Sequence, residues 1–519
     1  MRSLSAPGLL LLASALAAQS PASIERAVGA ITPQDIRRRI GILADDSMRG
    51  RDTPSPELEQ VATYIAAEFG RFGLRPGGDN GGYVQRYRIL RRQVDTSQSF
   101  LAVGGGPRVV TLKPGVDVNL IRLGQPLPIQ DVNGPVVLLT GTAPVDSASP
   151  LVGADVKGAW VAEFASATAQ GIQVDVPTFR AALQAGAVGM LIISDRSDAQ
   201  WQSRLSRILD PGPAIVGEPA PDTSVVPALV EIRDATAARA LGIEPAALRA
   251  ESARRARRLD AVQLTLRVKQ RVVSQASAPN VIGVLEGSDP RLRREYVFFT
   301  AHMDHVGVAG PRGTGGCQPK GADSICNGAD DDASGTTAVI ENAGAFSRLE
   351  PRPKRSLVFM TVSGEEKGLW GSQFFSEHPT VRLADAVADL NIDMVGRNWK
   401  DTIVVIGKEH SDLGATLDRV AAAHPELHMT PIDDLWPQEN FYFRSDHYNF
   451  ARKGVPILFF FNGTHADYHQ VTDSPDKIDA EKESRIVKLV FYLGLELANA
   501  AQRPKWNPAS YDRIVGGNN

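Results

Sequence analysis

Apolar residues recur every three or four positions in two early stretches, Ile36, Ile40 and Leu43 within 33–43 and Val61, Ile65 and Phe69 within 57–72. This spacing predicts two amphipathic helices. Pro76-Gly77-Gly78 and Gly81-Gly82 close that opening unit. From about 116 to 262 the texture changes to short apolar runs such as Val136-Val137-Leu138-Leu139 and Met190-Leu191-Ile192-Ile193, separated by Pro, Gly and Ser, which predicts buried strands in a separate inserted domain. From Asn280 onward, apolar, β-branched or aromatic runs at 296–300, 357–362, 402–406 and 457–461 alternate with helical stretches. That order predicts an α/β domain with a mostly parallel central sheet flanked by helices.

A chain of 519 residues is too long for one core. The expected division is 22–115 and 278–505 for the two parts of the main domain and 116–265 for the insertion. A net charge of -3 provides no field that favours nucleic acid or an anionic membrane. At the start, Arg2, the apolar run Gly8 to Ala18 and the small-residue triplet Ala15-Leu16-Ala17 read as an export signal over 1–17, cleaved near Ala17. The run is short of the ~20 residues a spanning helix needs, so the expected location is the periplasm or the medium, with no membrane span after cleavage. Arg254, Arg255, Arg257 and Arg258 beside Asp260 read as a solvated helix face without assigned function. Cys317 and Cys326 lie close together in a Gly-rich loop, a spacing that permits a small disulfide-closed loop in an oxidising compartment and leaves two free thiols as the alternative.

Chemistry concentrates after the predicted strands, where open α/β sheets place their ligands. His302-Met303-Asp304-His305 offers an imidazole suited to zinc and, two residues on, a carboxylate able to fix its tautomer; a satisfied loop histidine is the plainer reading. Asp330-Asp331-Asp332 places three carboxylates side by side, which repel unless a cation sits among them or the turn is solvated. In Glu365-Glu366 one carboxylate can ligate metal while its neighbour accepts a proton, against the simpler reading of a Glu-rich helix start. Asp393, in Asn391-Ile392-Asp393-Met394, is the only carboxylate in an otherwise apolar strand end, and Asp467-Tyr468-His469 follows a Phe-rich strand. Two histidines, two aspartates and a glutamate make a mixed nitrogen and oxygen set suited to zinc.

The order H-x-D, G-A-D-D-D-A-S-G, G-E-E, N-x-D-M and Y-H, running from His302 to His469, resembles the signature of the M28 zinc aminopeptidases. The similarity extends back to Arg51 in Asp46-Ser47-Met48-Arg49-Gly50-Arg51 and forward past Ser474-Pro475-Asp476-Lys477-Ile478-Asp479. It implies a phosphorylase/hydrolase-like zinc peptidase fold and two zinc ions per chain. Asp331 would bridge them, His302 and Asp393 would complete one site, and Glu366 and His469 the other. Glu365 would be the general base that accepts the proton of a metal-bound water. A cis peptide is implied at Asp331-Asp332, with Asp304 and Asp332 behind the ligands. Tyr468 matches a position that stabilises the oxyanion in some members, and Arg444 matches a substrate-contacting arginine. His305, His447 and His465 are left as loop or supporting residues. Leu183 to Ile193 resembles the helix, glycine turn and buried strand of a protease-associated domain.

The implied substrates are peptides with free amino termini, since carboxylates around the zincs suit an ammonium and no arginine cluster marks a carboxypeptidase pocket. Alternatives on the same scaffold are a carboxypeptidase or dipeptidase, a glutaminyl-cyclase-like acyltransferase using a single metal, and a non-catalytic receptor, which would be expected to lose ligands.

Overall fold

In a computed structural model the chain is described over residues 19–105, 109–121, 130–141, 151, 153–168, 172, 175–206, 215–217, 228–310 and 316–518. The export signal expected over 1–17 lies outside them. The chain divides into two compact units, one made of the residues up to Tyr87 together with Ser277 onward, the other of Arg88–Ala276.

In the first unit two proline-started helices lead. Thr32 and Ser55 accept backbone N–H bonds from Asp35 and Leu58, and Pro33 and Pro56 follow at the first turn, where a missing N–H costs nothing. The resulting helices span Pro33–Leu43 and Pro56–Arg71 and bury the predicted stripes, including Ile36, Ile40, Leu43, Val61, Ile65 and Phe69. Arg39 pins them to the helix Gly335–Phe346, pairing with Glu68 and Glu341, both at 2.5 Å.

The strands Ser356–Val362, Tyr296–His302, Ala386–Ile392 and Ile457–Phe460 lie side by side in that order and run parallel. Thr402–Ile406 pairs antiparallel with Ile457–Phe460, and residues 281–285 pair antiparallel with 357–361. Consecutive residues of a strand face opposite ways, and Phe298 and Phe299 mark the two layers. Phe299 packs on Phe346 and Phe359, and Phe346 in turn on Phe491 of the helix Ala480–Asn499. Phe298 packs on Phe375 and Phe450, from the helices Trp370–Glu377 and His447–Ala451. Both phenylalanines are fully buried, worth ~1.5–3 kcal/mol each in transfer terms. Helices on both faces leave the carboxyl ends of the parallel strands as the open edge for polar residues.

The second unit holds its own sheet, in which Gln130–Leu139, Trp160–Ala165, Gly189–Ser194 and Ala228–Arg233 run parallel around a core that includes Trp160, Leu191 and Val230. The boundary expected at 115/116 falls instead at 87/88, because Phe100–Gly104 pairs antiparallel with 263–267 and Val110–Leu112 pairs with Phe100–Gly104. The main domain resumes at Ser277, one residue from the expected 278, while the insertion runs past the expected 265, the strand Ala256–Val268 being built into its sheet. The arginine run is not a helix face either: 256–268 is a strand, and Arg254, just before it, is largely buried between Glu163 and Asp175. Arg255, Arg257 and Arg258 are exposed. Helix Val176–Gln184, a turn through Gly186 at φ 87° and strand Gly189–Ser194 follow one another as Leu183 to Ile193 suggested.

Candidate metal centre

The polar cluster stands at the carboxyl ends of the parallel strands. His302 is the last residue of Tyr296–His302, Glu365 and Glu366 follow Ser356–Val362, and Asp393 follows Ala386–Ile392. Asp331 comes from the turn that opens the buried helix Gly335–Phe346, and His469 from the loop beyond Ile457–Phe460.

Asp331 is the hinge of the arrangement. Its Oδ1 lies 3.3 Å from His302 Nε2, and its Oδ2 lies 3.1 Å from His469 Nε2. His302 Nε2 is also 3.6 Å from Asp393 Oδ1, and His469 Nε2 is 3.1 Å from Glu366 Oε2. Two groups of side chains able to hold a cation result: His305, Asp331, Glu366 and His469 in one, and His302, Asp332 and Asp393 in the other. Asp393 Oδ1, Glu366 Oε1, His469 Nε2 and both ring nitrogens of His305 are buried without a well-directed hydrogen bond among the described residues. Buried polar atoms are ordinarily satisfied, so this concentration of unserved donors and acceptors fits a divalent cation with nitrogen and oxygen ligands.

Asp332 differs from Asp331 in having its oxygens committed. Oδ1 accepts from the backbone N–H of Gly335 at 2.8 Å and of Met394 at 3.2 Å, and Oδ2 from that of His302 at 3.2 Å. It ties three element ends together while Asp331 projects into the cluster, and the peptide between them is cis. Asp473 accepts the N–H groups of Asp330 and Asp331 from behind. Arg51, fully buried, donates to the carbonyls of Met303 and Gly328 at 2.9 Å and reaches those of Asn327 and Asp331, holding the loops that follow His302 and precede Asp332 against each other. Gly328 sits at φ 59°, and a Cβ there would come within 2.5 Å of the His305 ring, so the close approach of that ring requires glycine.

Asp304 behaves differently from expectation. His302 Nδ1 meets the backbone carbonyl of Asp304 at 3.1 Å, whereas the carboxylate stands 3.8 Å away. That carboxylate accepts instead from Thr53 Oγ1 at 2.9 Å and from the N–H of Glu365 at 3.3 Å, so it orders the glutamate loop. Thr53 Oγ1 in turn accepts from the N–H of Gly364.

Glu365, His302, Asp331, Asp393, Arg444 and Tyr468 line a pocket whose remaining wall includes Met394, Phe441, Phe459 and Phe461. The Tyr468 ring lies on that of His469, with centroids 4.0 Å apart. Arg444 is half exposed, its guanidinium 4.7 Å over the Phe441 ring and 3.8 Å from Glu439. Cys317 and Cys326 are joined as a disulfide, nine residues apart in sequence.

Residues 280–494 match the profile of peptidase family M28. Leupeptin-inactivating enzyme 1 of Streptomyces exfoliatus is 27% identical over 221 residues, 42% of this chain and 43% of that protein. A probable leucine aminopeptidase of Trichophyton verrucosum is 27% identical over 236 residues, 43% of this chain and 58% of that protein. The chain thus spans about half the length of the curated relatives it matches. Among solved structures, the aminopeptidase from Aneurinibacillus sp. strain AM-1 aligns over 92% of this chain and 97% of its own at 18% identity, with a TM-score of 0.45.

Among the protein groups alone, the neighbouring glutamates are driven apart. Burial, together with the charges of Glu366, Asp446 and Asp393, pushes the Glu365 carboxyl well above its usual range against the pull of His302. Burial and Asp331 also oppose ionisation of Glu366, but His305 and His469 hold it down at about 2. Burial lowers His469, yet Asp331 and Glu366 raise it to about 10.

His305, expected as a loop or supporting residue, lies with Nδ1 2.8 Å from Glu366 Oε1 and its ring edge-on to that of His469. Its place three residues after His302 was the available signal. His447 and His465 do stand outside the cluster: His447 Nε2 donates to the Tyr442 carbonyl, and His465 pairs with Asp330 at 3.1 Å. Two further residues went unnoticed, Ser445 against Asp393 and the buried Asp389, which makes Asp393 not the only carboxylate of its strand.

Proposed function

We propose that the chain is an exported two-zinc exopeptidase that removes residues from free amino termini. The observation that carries this reading is Asp331, whose two oxygens face two separate groups of ligands. His302 and Asp393 would hold one ion, Glu366 and His469 the other, and Asp331 would serve both. Zinc in these positions supplies Lewis acidity toward the scissile carbonyl and eases the deprotonation of water.

The remaining steps belong to the chain's own side chains. Glu365 takes the proton of the attacking water on its carboxylate and delivers it to the nitrogen of the leaving amine as the peptide C–N bond breaks. Tyr468 directs its hydroxyl to the carbonyl oxygen as charge develops there. Arg444, at the rim, is positioned for contact with the substrate, while Asp304 and Asp332 hold the loops. The carboxylates favour the ammonium of a free N-terminus, and Met394, Phe441, Phe459 and Phe461 favour an apolar side chain beside it. The unit 88–276 is read as a protease-associated insertion on the strength of its helix, glycine turn and strand.

The test is digestion of a peptide library with zinc quantified in the same preparation. Release of N-terminal residues from free but not N-acetylated peptides, with two zincs per chain, is expected. Equal cleavage of acetylated peptides, or release of C-terminal residues, would overturn the assignment.

A further inference from the structure

Asp389, Asn391 and Asp393 alternate along the strand Ala386–Ile392 and its end, so their side chains share one face, and all three are buried. Asn391 Nδ2 lies 3.2 Å from Ser445 Oγ, and Ser445 Oγ lies 2.9 Å from Asp393 Oδ2. On the other side, Thr300 Oγ1 is 2.8 Å from Asn391 Oδ1 and 2.8 Å from Asp389 Oδ1. The second oxygen of Asp389 is buried with no hydrogen-bond partner among the described residues.

Counting protons fixes the direction of this chain. A carboxylate that binds a cation is ionised, so the Ser445 hydroxyl donates to Asp393. Ser445 Oγ must then accept, and its neighbour is the amide nitrogen of Asn391, which can only donate. That orientation turns the amide oxygen of Asn391 toward Thr300, whose single hydroxyl proton it takes. Thr300 has nothing left to give Asp389, and two bare acceptors at 2.8 Å would repel.

We propose that Asp389 is a positioning residue: its carboxyl donates a proton to Thr300 and so fixes, through Asn391 and Ser445, which oxygen of Asp393 is turned to the metal. Oδ2 is claimed by Ser445, which leaves Oδ1, 3.6 Å from His302 Nε2, as the ligating atom. The surroundings agree, since burial pushes the Asp389 carboxyl up to about 8, with Asp446 adding to the rise and Thr300 opposing it. An ionised carboxylate with one oxygen unserved in that interior would be costly.

The inference rests on the metal reading only through Asp393 as a ligand, and two readouts on the full chain separate them. The infrared difference spectrum at pH 7 between the wild type and Asp389→Asn should contain the carbonyl stretch of a protonated carboxylic acid, shifting in D2O; carboxylate bands alone would overturn the proposal. In zinc competition against a chromogenic chelator, Thr300→Val and Ser445→Ala should weaken binding roughly 10–100-fold, as loss of an outer hydrogen bond to a ligand does. Asp389→Asn should bind close to wild type, because its amide N–H replaces the carboxyl proton. Wild-type affinity in both Thr300→Val and Ser445→Ala, or a loss in Asp389→Asn as large as theirs, contradicts it. Ser445→Ala removes a single oxygen and keeps the test open should Thr300→Val fail to fold. A wild type that binds no zinc but keeps the infrared band would overturn the metal reading alone.

Discussion

Asp331 and His469 meet through Oδ2 and Nε2 at 3.1 Å, while the other oxygen of the same carboxylate stands 3.3 Å from His302 Nε2. The two groups able to hold a cation are joined through this residue, so its loss should be felt by both. Asp331→Ala should lose both zincs, and His302→Ala should keep the one on the His469 side. Metal analysis of the two purified variants decides this, and two zincs per chain in Asp331→Ala would remove the bridging role.

Zinc uptake should release protons. His469, raised to about 10 by Asp331 and Glu366 against its burial, carries a proton at neutral pH that a ligating imidazole must give up. Affinity should therefore climb as pH rises from neutral. In the metal-free protein the sign is opposite: the raised value contributes stability that is fully present below the ordinary histidine range near ~6.5 and is lost as pH rises through about 10. Calorimetric titration with zinc in buffers of different ionisation enthalpy reads the released protons directly. Binding enthalpies that do not depend on the buffer would contradict the prediction.

His305 holds Glu366 from behind, with Nδ1 2.8 Å from Oε1. His305→Phe fills the same space without the nitrogen and should weaken zinc binding on the His469 side roughly 10–100-fold, leaving the fold intact by circular dichroism. An unchanged dissociation constant would show that the contact is incidental.

The disulfide Cys317–Cys326 closes a short loop just upstream of Asn327 and Gly328, whose carbonyls Arg51 holds. A loop of this size should contribute on the order of 2–3 kcal/mol by the chain-entropy estimate. Thiol titration of the unfolded, unreduced protein should find no free thiol, and the Cys317→Ser/Cys326→Ser variant should unfold at correspondingly lower denaturant.

Much of the site was legible because its residues sit in short contiguous motifs at strand ends, where the alternation of strand and helix already places a binding edge. Glu365, Glu366 and Asp331 are visible for that reason. What was hidden depends on non-local pairing. Phe100–Gly104 joins residues 263–267, far along the chain, and nothing local marks that edge. Arg254 reads as exposed in sequence because Glu163 and Asp175, which bury it, are distant. Asp304 was placed in the right neighbourhood, but the spacing H-x-D does not say whether the carboxylate or the carbonyl reaches the imidazole. Asp389 lay outside every motif, and only the row of hydrogen bonds through Thr300 gives it a role.

The central claim, that adjacent glutamates divide the labour, is tested most directly by Glu365→Gln. If Glu366 holds zinc and Glu365 moves the proton, the variant should bind two zincs and fold normally. Its kcat should then fall at or above the upper end of the ~10²–10⁴-fold typical for general acid–base help, since one residue would both accept the water's proton and deliver it to the leaving amine. KM should move little. Glu365→Gln that retains more than about a tenth of wild-type kcat with both zincs bound would contradict the account, because proton transfer would then not depend on this carboxylate.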